Sequence, residues 1–114
     1  MSDPIVIVTG GRNYHDAVRV TEVLLEVRPS FIAQGGATGA DAFAKGFAKR
    51  MGVPHATFHA LWDAHGKSAG PRRNLAMLGI MQPDLVVAFP GGKGTAHMVK
   101  IAREQGVEVR EVER

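Results

Sequence analysis

Five short apolar runs recur along this chain with helix-periodic segments between them, and that alternation restricts its fold more than any other feature. Ile5–Val8 is the first run, ending at Thr9-Gly10-Gly11. A stretch so short and so continuously β-branched suits a strand covered on both faces. Asn13 then reads as a helix N-cap, with Asp16 near the positive end of the helix dipole. Ala17, Val20, Leu24 and Val27 space the inner face of a helix that must stop before Pro29. Phe31–Ala33 reads as a second strand, closed by Gln34-Gly35-Gly36. Ala40, Phe43, Phe47 and Met51 space a second helix, which Gly52 and Pro54 terminate.

His55–Ala60 alternates as a third strand, and Leu61–Gly70 reads as the longest irregular stretch. A third helix is expected to begin near Pro71, a residue favoured at the first helical position, and to turn Leu75, Met77, Leu78 and Met81 inward. Leu85–Phe89 makes a fourth strand. Thr95, Met98, Val99 and Ala102 line a fourth helix that closes at Gly106, and Val107–Val112 is the last strand. Five strands alternating with four helices predict one α/β domain over residues 1–114. The expected architecture is a Rossmann-like three-layer α/β/α sandwich around a five-stranded parallel sheet.

In such sheets ligands collect at the carboxyl ends of the strands, where strand order reverses. Three of the four strand-to-helix loops carry a glycine pair: Gly10-Gly11, Gly35-Gly36 and Gly91-Gly92. The last lies in Phe89-Pro90-Gly91-Gly92-Lys93-Gly94-Thr95, which reads as strand, glycine turn and helix N-terminus. The unpaired N–H groups of a helix start attract anions, Lys93 adds a full positive charge and Thr95 a hydroxyl. The segment reads as a phosphate cradle, although it matches neither GxxxxGK[ST] nor GxGxxG.

Charge and composition narrow the classes. With 14 Lys and Arg against 11 Asp and Glu, the formal net charge is +3 with histidine neutral. That permits an anionic ligand without requiring nucleic acid, and no basic run or aromatic ladder marks a single-strand binder. Arg12, Lys67, Arg72, Arg73 and Lys93 all fall in connecting segments or at a helix start. The absence of cysteine excludes disulfides, thiolate catalysis and sulfur-ligated metals. No apolar run reaches the roughly 18–20 residues of a membrane span, and the start lacks the pattern of a signal peptide, so a cytoplasmic protein is expected. His55, His59, Asp63 and His65 lie close in sequence but match no HExxH pattern, and neither a metal nor a cofactor is expected.

Among the acids, Asp16, Asp41 and Asp63 fall at the expected ligand rim. Asp16 is accounted for by helix capping. Asp41 stands at the second helix's start, where it either complements the dipole or accepts a hydrogen bond from a sugar hydroxyl. Asp41 and Asp63 are the candidates for any catalytic carboxylate. Arg72 and Arg73, with Asn74, open the third helix and could grip phosphate bidentately, and Arg12 has the same two readings of ligand contact or solvation. Tyr14 and Trp62 could stack on a base or pack in the core.

Together these residues resemble the SLOG superfamily, a Rossmann-like group that includes the LONELY GUY phosphoribohydrolases and the DNA-processing protein DprA, and more narrowly its YspA-like branch. The matching segments are Thr9–Arg12, Gly35–Asp41, Trp62 with Gly66-Lys67, Gly70–Asn74 and Phe89–Thr95. The resemblance implies a nucleotide-type ligand held across the strand ends by Gly10, Gly11, Arg12, Gly35, Gly36, Asp41, Lys67, Arg72, Arg73, Asn74, Pro90, Gly91, Gly92, Gly94 and Thr95, and a homodimer. One departure matters. LONELY GUY enzymes carry PGGxGTxxE with a catalytic glutamate, and that position here is Met98. The resemblance therefore implies phosphate recognition, as a sensor or a processing enzyme. A nucleic-acid-binding module and an N-glycosidase stand as the alternatives.

Overall fold

A computed structural model describes residues 3–113. Strands β1 (Ile5–Thr9), β2 (Phe31–Gln34), β3 (His55–Thr57), β4 (Leu85–Ala88) and β5 (Glu108–Glu111) alternate with helices α1 (Ala17–Val27), α2 (Ala40–Met51), α3 (Trp62–His65), α4 (Ala69–Met81) and α5 (Lys93–Glu104). A 3₁₀ turn, Gly66–Ser68, links α3 to α4. All strand pairings are parallel, in the order β3-β2-β1-β4-β5. This is the expected Rossmann-like α/β fold, with four long helices and one single-turn helix.

The order explains the layers. From β1 the chain moves outward through β2 to β3, then crosses to β4 on the other side of β1. Right-handed crossovers in opposite directions put their helices on opposite faces. Accordingly Val6, Val8, Ile32 and Val87 pack against α1 and α2 through Val20, Leu24, Ala44 and Phe47. Ile7, Ala33 and Val86 face α4 and α5 through Met77, Leu78, Met98 and Ile101. Strand residues alternate between faces, so both sides of β1 are buried and its run is apolar throughout. Each fully buried Val or Leu contributes about 1.5–3 kcal/mol. The reversal of strand order falls between β1 and β4, so their loops part at the sheet's carboxyl edge.

Several boundaries differ from expectation. The first helix starts at Ala17, with Asp16 as its N-cap: Arg19 N donates to Asp16 Oδ1 at 2.9 Å. Asn13 therefore does not cap it, and Asn13–His15 form a loop over the sheet edge. Ala17 is exposed, and Val23 takes the buried position. The strand from His55 ends at Thr57 rather than Ala60, since only Phe58 N still reaches Gln34 O across to β2. Leu85 and Glu108 begin strands that end at Ala88 and Glu111, inside the expected limits. Leu61–Gly70 is not irregular but holds α3, the 3₁₀ turn and the first two residues of α4. Met51, Leu75 and Ile80 are exposed by 55%, 50% and 69%, so α4 buries only Met77 and Leu78 of its large apolar residues.

Candidate functional site

The β1 and β4 loops are joined by Gly11 N donating to Pro90 O at 2.9 Å. The β1 loop is also tied to α2: Tyr14 N and Ala40 N both donate to Gly11 O, at 3.1 and 3.3 Å, and Thr38 Oγ1 donates to Arg12 O at 2.9 Å. This contact needs Gly39. Its φ is +74°, and a Cβ there would run into the backbone of Gly11 and Arg12. The helix start thus sits directly against the first glycine loop.

These loops enclose a cleft of about 740 Å³, lined by Thr9–His15, Ala37, Asp41, Trp62, Gly70, Arg73 and Pro90–Thr95. Three cationic residues, Arg12, Arg73 and Lys93, line the cleft together with one carboxylate, that of Asp41. At one end lies the start of α5. Gly92 is its N-cap and provides no side-chain hydrogen bond. The N–H groups of Lys93, Gly94 and Thr95 precede any possible intrahelical acceptor, as the first helical bond there is Ala96 N to Gly92 O at 3.0 Å. The start of α2 is different, because its first N–H, that of Ala40, already donates to Gly11 O and its first turn carries an acid of its own, Asp41.

Asp41 is 5% exposed. Its Oδ2 accepts from both Gly35 N and Ala37 N at 3.2 Å, while Oδ1 has no partner among the described residues. Burial pushes the carboxyl up from 3.8 to about 6, against the pull of the Ala37 N–H, the Arg73 guanidinium and the Gly35 N–H. A buried acid with a raised pKa at the wall of a cleft is the kind of group from which functional sites are built. Burial in turn lowers the Arg73 pKa, and Asp41 opposes that change.

Arg73 is committed to the protein. Nη1 donates to Gly35 O at 2.7 Å and Phe58 O at 3.3 Å, and Nε donates to Asn74 Oδ1 at 3.0 Å. This fixes the Asn74 amide, whose Nδ2 donates to Gly94 O and to His97 Nδ1, both at 3.1 Å. His97 consequently carries its proton on Nε2. Asn74 is 3% exposed and joins α4 to the first turn of α5. It positions the glycine loop rather than lining the cleft.

The other sequence candidates separate clearly. Gly10, Gly11, Arg12, Asp41, Arg73, Pro90, Gly91, Gly92, Gly94 and Thr95 meet in the cleft. Gly35 and Gly36 line a second, adjoining cavity. Asp63 and Lys67 are exposed on α3 and the 3₁₀ turn and line neither. Arg72 also lies outside both, donating through Nε to Ser68 Oγ at 3.0 Å. The cause is the early start of α4. Pro71 is its third residue, so Arg72 and Arg73 sit beyond the free N–H groups expected to share a phosphate with them. Met98 is wholly buried between α5 and the sheet, beneath Ile7 and Ala33.

Two contributors escaped the sequence reading. Gln34, fully buried, accepts from Gly36 N at 2.6 Å and donates to Thr57 Oγ1 at 2.5 Å, bracing the β2 turn. A polar residue ending an apolar strand was its available signal. His59 forms a wall of the second cavity, and nothing in its spacing indicated this. Tyr14, which lines the cleft, packs its ring on Phe89 with the centroids 5.4 Å apart. No group of three or more His, Asp or Glu placed to hold a metal ion occurs among the described residues. None of the described helices is long and apolar enough to cross a membrane.

Known proteins can now be set beside this geometry. The Gene 61 protein of Mycobacterium phage D29 is 34% identical over 116 residues, covering 91% of this chain and 92% of its own. DNA processing protein A (DprA) from Streptococcus pneumoniae superposes with a TM-score of 0.75 at 20% identity over 97% of this chain. That identity establishes a common fold, and the chain spans half of DprA's length. The profile of the YspA, cpYpsA-related SLOG family matches residues 4–65, from the first strand through the β1 and β2 glycine loops to α3. The chain belongs to the YspA, cpYpsA-related SLOG family.

Proposed function

We propose that the protein binds a nucleotide or nucleotide-derived ligand in the cleft between the β1 and β4 loops. The observation that carries this reading is the contrast between two helix starts at one rim. At α2 the Ala40 N–H already donates to Gly11 O and the first turn carries its own acid, Asp41, whereas the first turn of α5 carries no acid and presents free N–H groups beside Lys93. A phosphate would take those donors, and Lys93 would balance its charge. The Arg12 guanidinium has no hydrogen-bond or ion-pair partner among the described residues, and Arg12 lines the same space. Asp41 Oδ1 would accept from a sugar hydroxyl, or donate to phosphate when the carboxyl is protonated.

Any processing step would depend on Asp41, the single acid of the cleft. The structure gives less support to a LONELY GUY-like hydrolysis, since the residue at the glutamate position points into the core. The basic cleft and the DprA-like fold keep single-stranded nucleic acid as the competing ligand class.

Gly94→Asp tests the phosphate position. A Cβ at Gly94 meets no heavy atom within 4 Å, and a carboxylate in this first turn favours the helix start by about 0.3–1 kcal/mol. It would take the place of the phosphate. Thermal stabilisation by AMP, ADP, ATP, NAD and ADP-ribose should be seen in the wild-type protein and lost in Gly94→Asp, whose own melting temperature is kept or raised. At about 100 times the dissociation constant a ligand adds roughly 2.7 kcal/mol. No shift with any of them in the wild-type protein overturns the small-ligand reading. Binding unaltered by Gly94→Asp moves the phosphate away from α5.

A further inference from the structure

A second cavity of about 300 Å³ opens beside the cleft at the ends of β2 and β3. It is not a separate feature, because Arg12, Ala37, Trp62 and Arg73 line both spaces. These four residues form a neck between two lobes. The α5 start lies in the first lobe, while Gly35, Gly36, Thr38, His59 and Ala60 belong only to the second.

The chemistry of the second lobe is distinct. No carboxylate lines it, and none of the free helix-start N–H groups of α5 reaches it. Its functional groups are an imidazole, an indole and two guanidiniums. His59 packs directly over Gly36, whose φ of +79° and missing Cβ leave room for the ring at the turn. Trp62 is 53% exposed at the neck, an expensive place for the chain's one indole unless something covers it. Of the two arginines at the neck, Arg73 is bound to backbone carbonyls and Arg12 is unpaired. Flat π-faces beside a free guanidinium suit a planar heterocycle joined to an anionic bridge.

We infer that the ligand is a two-ring molecule joined through phosphate, which spans the neck with its bridge at Arg12 and seats one ring in the lobe between His59 and Trp62. This deepens the nucleotide reading and rests on it. One nucleotide unit lies in the first lobe with its phosphate toward α5, and the second ring stacks beyond Arg12. The same chemistry is found in a pyrophosphate-bridged dinucleotide and in the 5′ end of a nucleic acid strand.

Titration calorimetry of AMP, ADP, NAD and the 5′-phosphorylated dinucleotide pApA, with wild-type protein and Ala60→Phe, tests it. Ala60 lines only the second lobe, so a phenyl group there fills the ring's place and leaves the first lobe open. Stacking of one added base predicts that NAD or pApA binds about tenfold tighter than ADP in the wild-type protein. Ala60→Phe should erase that advantage and leave the AMP affinity where it was. A preference for NAD identifies the pyrophosphate-bridged source, and a preference for pApA the nucleic-acid source. ADP binding as tightly as both two-ring probes overturns the inference while the nucleotide reading stands. An equal loss for AMP and NAD in Ala60→Phe also overturns it, since the lobes would not then be separate. If none of the four probes binds, both readings fall.

Discussion

Replacing Asp41 with asparagine removes the one carboxylate of the cleft and changes little of its shape. A single oxygen, Oδ2, accepts both the Gly35 and the Ala37 N–H bonds, and an amide oxygen can do the same. In the native protein burial holds this carboxyl at about 6 rather than 3.8. Because the folded value lies above the unfolded one, the folded protein keeps a proton that the unfolded chain has already released. The contribution to stability is therefore full below about pH 3.8 and is lost as the pH rises through about 6. About two pH units at 1.36 kcal/mol each amount to a loss of about 3 kcal/mol. Asparagine has no such titration. Urea unfolding of both proteins from about pH 4 to about pH 7.5 should show the variant gaining on the wild type by about 2.5 kcal/mol across that range, the rest of the loss lying below about pH 4. A difference between the two that stays constant with pH refutes the argument, because it would mean that the Asp41 carboxyl is not raised in the folded state.

The remaining expectations concern the loops around it. Gly39→Ala places a Cβ against the Gly11 and Arg12 backbone at positive φ, and chemical unfolding should register a loss of more than about 2 kcal/mol. Asn74→Ala leaves Arg73 Nε and Gly94 O without their buried partner. A stability loss of about 2–3 kcal/mol is expected, with faster amide exchange in the first turn of α5. Arg72→Ala should leave nucleotide-induced stabilisation unchanged, because Arg72 bonds Ser68 outside the cleft. Arg12→Ala should reduce it, and the two measured side by side in one thermal-shift experiment separate the free cation from the remote one.

Much of the fold was legible in local pattern. Val6, Ile7 and Val8 read as a doubly covered strand because β-branched residues in unbroken sequence have few other places to go. The glycine pairs at Gly10-Gly11 and Gly91-Gly92 marked the rim where the larger cleft opens, since tight strand-to-helix turns need small residues wherever they occur. Helix starts were less legible. Asn13 and Asp16 are both good caps, and only the path of the loop over the sheet edge selects Asp16. Pro71 is compatible with any position of a first turn, so it could not reveal that α4 begins two residues earlier. That displacement is what carried Arg72 out of the site.

The sequence by itself determined the alternation of strands and helices, the sheet's buried character and the glycine-rich loop ahead of α5. These depend on periodicity and on turn chemistry within a few residues. Tertiary structure alone decided which charges remain available. Arg73 and Arg12 look equivalent in sequence, yet the carbonyls of Gly35 and Phe58, 38 and 15 residues away, occupy one and leave the other free. Burial set the Asp41 carboxyl near 6, and the meeting of the β1, β2 and α3 segments at Arg12 and Trp62 brought two cavities side by side with shared walls. Desolvation and long-range hydrogen bonding arise only when distant segments pack, and no local pattern encodes them.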